Sequence, residues 1–234
     1  MNILVSDTST SILSIALRTD TSYEERMVNG NFAPSENLMG EIKSLLERAG
    51  ITFKDLNLLV CTKGPGSFTG LRIAMSMMKG IALACDVPLV SVPTLSAIER
   101  TVSPLWKGPV LSIIDAKKKR FYYRLSENGE ALTPDMDEST ERIVEEVKAL
   151  GKTVLLTGPD AAVFYKKAKE ADSSVAVILD PDTPRNLSSS LITLAEEIYA
   201  EKGADDIGEG PVYIRRSDAE EMLIQKTLEE RSGN

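Results

Sequence analysis

The run ILVSD ending at Asp7 returns as LSIID ending at Asp115, and around each of them the chain repeats one order of elements. In the first half, an apolar run predicts a buried strand over Ile3 to Ser6. Ile12 to Leu17 alternates, with Leu13, Ile15 and Leu17 on one face, and a poorer strand covers Tyr23 to Val28. Ser35 has helix-start character, and Leu38, Met39, Ile42, Leu45, Leu46 and Ala49 recur at helical spacing until Gly50 stops them. A buried strand over Leu58 to Cys61, a helix over Leu71 to Cys85, a strand over Leu89 to Val92 and a helix near Thr94 to Arg100 complete this half.

After the Pro/Gly-punctuated stretch from Ser103 to Pro109 the order begins again. Strands are expected over Val110 to Ile114, Phe121 to Leu125 and, marginally, Glu130 to Thr133, the last following an Asn128-Gly129 pair that favours tight hairpins. A helix over Ser139 to Leu150, a strand over Val154 to Thr157, a helix over Ala161 to Ala171, a strand over Val175 to Leu179 and a helix over Leu187 to Lys202 follow. This predicts an α/β protein of two duplicated lobes, residues 1–103 and 109–215, with a charged tail at 216–234. The last helix is a candidate to pack back on the first lobe. The two halves are not visibly similar in sequence, so the duplication rests on element order.

Length and composition agree with two compact lobes. The chain has 234 residues, with 42% hydrophobic and 26% charged, ordinary globular usage that supports an extensive core. No apolar run reaches the ~18 residues that span a bilayer, and MNILVSDTS lacks a basic stretch ahead of a cleavable apolar one, so a cytoplasmic protein is expected. A net charge of -8 opposes tight nucleic-acid binding. The absence of histidine excludes His-based triads, imidazole general bases and His-ligated metals, although carboxylates can still hold magnesium. Cys61 and Cys85 sit inside apolar runs and are expected as free buried thiols.

Two features carry chemical information. Asp7 and Asp115, each ending the first strand of its half, are expected to face one another across a cleft, where such carboxylates hold magnesium or accept a proton; the alternative is that each caps a turn. Between a strand and a helix, GPGSFTGLR (Gly64 to Arg72) has the context in which backbone N–H groups reach an anion. It is neither a Walker loop nor a dinucleotide fingerprint. Its glycines also suit a sharp turn with close packing of helix on sheet. Asp7, Thr8, Ser9, Gly64, Gly66, Gly70 and Asp115 are therefore candidates for a nucleotide-binding or a purely structural loop. The cluster Lys117, Lys118, Lys119 and Arg120 suits either a contact with a nucleic acid or an acidic partner, or a solvated turn.

The helix after the glycine turn is apolar over an unusually wide arc. Leu71, Ala74, Met75, Met78, Ile81, Ala82 and Cys85 make one broad face, and Ile73, Met77 and Ala84 widen it to roughly 220°, against about 100° for an ordinary surface helix. Such a helix is buried on two sides, in its own lobe or against another protein. The methionines suit both settings.

GPGSFTGLRIA, the opening ILVSDTSTSILSIAL, VPLVSVPTLSAI, IDAKKKRFYY and the terminal PVYIRRSDAE together resemble the TsaB (YeaZ) family over nearly the whole chain and in the family's order. The resemblance implies two RNase H-like lobes of the actin, Hsp70 and sugar-kinase superfamily. It also implies a non-catalytic paralogue of TsaD, the threonylcarbamoyl transferase that modifies tRNA adenosine, working with TsaD and the TsaE ATPase. TsaD carries a metal-binding His-x-x-x-His motif; the matching positions here are Thr94 and Ile98, which cannot supply it, and neither a metal nor a cofactor is expected. The first loop, Asp7 to Thr10, lacks the glycine of superfamily kinases. Two family positions differ: Pro34 stands before Ser35 where many relatives have histidine, and Lys63 precedes the glycine turn in place of a smaller residue or arginine.

By the same resemblance the first-lobe helices pack against their TsaD counterparts. Leu38, Met39, Ile42, Leu46, Leu71, Met75, Met78 and Ala82 are the expected contacts, with about 1,600 Å² buried in total. Met75→Glu or Met78→Glu is expected to abolish pairing with the fold intact. Two copies are expected to pair through the same helices in the absence of TsaD, and tRNA is contacted only indirectly. The competing reading is an ATP- and magnesium-dependent transferase or kinase using Asp7 and Asp115.

Overall fold

A computed structural model describes residues 1–29 and 34–215. The charged tail at 216–234 lies outside the described residues. The first lobe runs β1 (Ile3–Asp7), β2 (Ile12–Arg18), β3 (Tyr23–Asn29), α1 (Pro34–Ala49), β4 (Leu58–Gly64), α2 (Phe68–Cys85), β5 (Leu89–Pro93) and α3 (Thr94–Val102). The second runs β6 (Pro109–Lys117), β7 (Arg120–Glu127), β8 (Glu130–Ala131), β9 (Met136–Ser139), α4 (Thr140–Ala149), β10 (Val154–Thr157), α5 (Ala161–Ala171), β11 (Val177–Leu179) and α6 (Ser188–Lys202). The sheets are ordered β3-β2-β1-β4-β5 and β11-β10-β6-β7-β8. In each, an antiparallel meander is extended by parallel strands, so the expected duplication is present.

The second meander departs from the first at its third strand. β8 is only two residues long, and β9 takes over pairing with the other end of β7, Arg120 to Tyr123. The expected strand over Glu130 to Thr133 thus dissolves after Ala131, where Leu132 and Thr133 turn their N–H groups back onto the Leu125 carbonyl.

Each first helix pair lies on one face of its own sheet. Leu38, Ile42, Leu45 and Leu46 of α1 and Ala74, Met75, Met78 and Ile81 of α2 close a core over Leu4, Leu13, Ile15, Leu17, Leu59 and Cys61. α2 begins three residues earlier than its apolar pattern. Ser67 is its N-cap, accepting the Gly70 N–H at 3.2 Å, a contact worth about 1 kcal/mol. Cys61 is fully buried and its thiol is pushed up to about 12 by burial, whereas Cys85 is half-buried; both are free.

The third helices face the other way. α6 lays Leu191, Ile192 and Ala195 on the opposite face of the first sheet, against Ile3, Val5, Val60 and Val90. α3 lies beside it, reaching Ile114 of β6, and Val102 at its end packs with Val110 and Leu155 of the second sheet. Two further contacts bind the lobes: Arg124 of β7 donates to the Ser96 hydroxyl of α3, and Arg18 of β2 is paired with Glu196 of α6.

Candidate functional site

The interlobe cleft begins where β1 ends. Asp7 is 1% exposed, and its Oδ1 accepts the Ser9 N–H and the Thr62 hydroxyl, each at 2.8 Å. Burial raises its pKa, and these hydrogen bonds only partly offset that. Asp115 is partly exposed and accepts the Lys117 N–H at 2.7 Å and its ammonium at 3.2 Å, while its own N–H donates to Asp160 Oδ2 at 2.8 Å. Both strand-end aspartates thus cap the turns that follow them.

They do not share a cavity. A space of about 510 Å³ between the lobes is lined by Ser9, Gly66, Asp115, Lys117, Tyr122, Asp160, Tyr213 and Arg215 among others, and Asp7 is absent from its walls. Asp7 borders a separate crevice of about 10 Å³. The expectation of two carboxylates facing one another is corrected here: one is sealed by its own loop.

The glycine turn seals it. A Cβ on Gly66 would fall on the Ser9 carbonyl oxygen, and one on Gly70 on that of Thr8. The Ser67 N–H donates to Ser9 O at 2.6 Å, and the Thr8 hydroxyl donates to Gly70 O at 2.6 Å. These contacts bring Thr8, Ser9, Gly66 and Gly70 together as a closed joint between the β1–β2 turn and the start of α2. The Ser67 N–H that would reach an anion is thereby used. Gly64, at φ +110°, is joined to Pro65 by a cis peptide bond and lies under the carbonyl of Val212.

Thr94 and Ile98 are buried in α3, Ile98 among the apolar residues beneath α6. Among the described residues no three His, Cys, Asp or Glu side chains cluster as a metal site would require.

The expected partner contacts need a sharper correction. Leu38, Ile42, Leu71 and Met78 are 0% exposed, Leu46 3%, Met75 4% and Ala82 7%; Met39 alone is half-buried. Seven of these eight side chains are core of their own lobe, so Met75→Glu or Met78→Glu would break the fold rather than an interface. The wide apolar arc of α2 resolves into two faces. Its outward face carries Ile73, Met77, Gly80, Leu83 and Ala84, with Leu83 71% exposed. α2 is also long and apolar enough, by length and composition, to cross a membrane, but its inward face belongs to the lobe core.

One signal was missed. The strand that follows the first helix leads into a Gly-Pro pair in both lobes, Gly64-Pro65 and Gly158-Pro159, with φ +110° and +120° at the glycines. Gly158 lies against the Ile113 backbone as the first turn lies against Ser9. This shared pair is a trace of the duplication in the sequence itself.

Comparison with known proteins follows the same lines. Residues 33–207 match the family described as TsaD, tRNA N6-adenosine threonylcarbamoyltransferase. The tRNA threonylcarbamoyladenosine biosynthesis protein TsaB of Bacillus subtilis is 30% identical over 230 residues, covering 96% of this chain and 99% of that one. The TsaB protein of Escherichia coli is 27% identical, covering 97% and 100%. YeaZ from Pseudomonas aeruginosa superposes with a TM-score of 0.75 at 22% identity, covering 91% of this chain and 99% of that one, and so shares its fold. With full-length correspondence in sequence and the same two-lobed architecture, this chain belongs to the TsaB family.

Proposed function

We propose that this protein is a non-catalytic subunit in the biosynthesis of tRNA threonylcarbamoyladenosine, acting in the cytoplasm. It binds a TsaD homologue directly, cooperates with a TsaE-type ATPase in the same complex, and meets tRNA only through them. The outward face of α2 carries this reading. Leu83 and Ala84 are exposed and Ile73 and Met77 half-buried at the edge of the core, which leaves a partly solvent-facing apolar surface on an 18-residue helix whose other face is already core. Exposed apolar surface of this kind is characteristic of protein–protein contacts. Half-buried Met39 of α1 extends the surface to the neighbouring helix. In the absence of TsaD, a second copy covers the same surface.

The sealed Asp7 loop supports a subunit without phosphoryl chemistry of its own. A carboxylate 1% exposed and already accepting two hydrogen bonds is poorly placed to hold magnesium or take a proton from a substrate.

The test is light scattering after size-exclusion chromatography of this protein mixed with the TsaD homologue of the same organism. A one-to-one species, lost in a Met77→Glu/Leu83→Glu variant that remains folded, is the expected result. Failure to associate, with nucleotide and the ATPase also present, would overturn the proposal.

A further inference from the structure

We infer that residues 205–215 form a latch holding the two lobes in one relative orientation, with Arg215 as its release point. Beyond α6 the chain returns along the first lobe. The Asp205 N–H donates to Leu89 O at 2.9 Å, and its carboxylate accepts the Ser91 N–H at 2.7 Å, which caps the free edge of β5. The Glu209 carbonyl accepts the ammonium of Lys79 on α2. The Val212 N–H donates to Lys63 O at 2.7 Å. Any side chain on Gly64 would stand 2.5 Å from the Val212 carbonyl oxygen, so the glycine is what lets this segment seat.

Tyr213 then stacks on Phe68 with ring centroids 4.4 Å apart. The Arg72 guanidinium lies 4.0 Å from the Phe68 centroid and donates from Nε to the Tyr213 hydroxyl at 2.9 Å. All these anchors belong to the first lobe.

Arg215 is where the segment crosses to the second lobe. Its Nη2 donates to Ala116 O at 2.8 Å, and Nη1 stands 3.6 Å from Asp137. Between the two sets of contacts lies the 510 Å³ interlobe cavity, with Val212, Tyr213, Ile214 and Arg215 forming part of its wall. Besides the packing of α3 and α6 and the Arg18–Glu196 and Arg124–Ser96 contacts, widening the cleft must break either this segment's anchors on the first lobe or, among the described residues, the contacts of Arg215 on the second. The arginine yields first: the first-lobe contacts are several and include stacked rings, whereas Nε and Nη1 of Arg215 are buried without a hydrogen-bond acceptor. The latch therefore opens at Arg215 and stays seated on the first lobe. This inference does not depend on which protein covers α2.

The experiment places one spin label on the first-lobe wall of the cavity and one on the exposed β6–β7 turn of the second lobe, through Ser11→Cys and Lys119→Cys in a Cys85→Ser background of the full chain, and records the distance distribution with and without Arg215→Ala. A single narrow distribution that shifts to longer separation and broadens in the Arg215→Ala protein is expected, while the Val212 amide keeps its wild-type protection from hydrogen exchange. Arg215→Lys, which retains charge but loses the planar fork, should fall between the two, and it decides the matter if the alanine variant does not fold. An unchanged distribution in a folded Arg215 variant would show that other contacts set the orientation and would overturn the latch. Loss of Val212 protection in Arg215→Ala would equally overturn the asymmetric release.

Discussion

α2 and α5 occupy the same place in their lobes, each leading out of a Gly-Pro turn and covering the sheet beside the first helix. Their inward faces are alike: Ala74, Met75 and Met78 in one, Ala161, Phe164 and Ala168 in the other, all buried. Their outward faces are not. α2 exposes Leu83 (71%) and Ala84 beside half-buried Ile73 and Met77, while α5 exposes Val163 (48%) together with Ala162, Lys166 and Glu170. Because the inward faces satisfy the same folding requirement, the difference between the lobes lies in their outward faces. Leaving a Leu or Met in water forgoes roughly 1.5–3 kcal/mol of burial. The first lobe leaves Leu83 in water next to half-buried Ile73 and Met77, and the second sets its exposed Val163 at helical spacing from Lys166 and Glu170.

The strongest test of this two-faced reading is Met78→Glu. Met78 is 0% exposed among Leu, Ile and Met side chains, and a carboxylate there has no partner within the core. The expected loss is about 4–5 kcal/mol, enough to unfold the first lobe. A circular-dichroism melt close to that of the wild type would mean that this face is not core, and the distinction between inward and outward residues would collapse.

The outward face should respond differently. Met77→Glu/Leu83→Glu is expected to cost far less, about 1–2 kcal/mol, because Leu83 is exposed and Met77 half-buried at the edge of the core. It should weaken association with the TsaD homologue about 100-fold, equivalent to about 2.7 kcal/mol, the scale of one or two interface hot spots. Val163→Glu makes the same chemical change on the matching helix of the second lobe and should alter neither quantity. Titration calorimetry on the three proteins separates them. Equal weakening by Val163→Glu would place the contact on both lobes and erase the contrast.

Much of this was legible in the sequence, and the reason differs from feature to feature. Strands such as β1, β4 and β10 are buried on both faces and read as continuous apolar runs. α1 and α2 announced themselves by spacing. The faces of α2 were not separable, because an arc of roughly 220° has no polar boundary to mark where core ends and surface begins. Only the packing of Met78 against the sheet and the exposure of Leu83 divide it. The Asp7–Asp115 pairing failed for a related reason: equivalent positions in a duplicated fold share a backbone location, but the side chain follows its own loop. Ser9 and Thr62 hold Asp7 inward, and Lys117 holds Asp115 at the other cavity. The segment from Asp205 to Arg215 carries no periodic signal, and its role depends on contacts with Lys63, Phe68 and Ala116, far away in the chain.

The connection after the first strand separates the lobes once more, with the smallest expected effect. In the first lobe the β1–β2 turn is held beneath the glycine turn. In the second, the matching β6–β7 turn stands in solvent as Lys118-Lys119, with φ +52° and +63°, between the paired Lys117 and Arg120. The next hairpin, β7–β8, turns through Asn128-Gly129 at φ +55° and +85°, the residues best suited to two successive left-handed positions. Lysine has no such tolerance, and a non-glycine residue in that region costs about 1–2 kcal/mol. Lys118→Asn/Lys119→Gly therefore keeps the two-residue turn and relieves its strain. It should stabilise the protein by about 1–2 kcal/mol, with Tm rising about 2–4 °C for each kcal/mol in a chain of this size. Scanning calorimetry reads this directly. A Tm that stays level or falls would mean that the contacts of these lysines outweigh the strain of their backbone, and that the exposed turn is as firmly held as the buried one it is compared with.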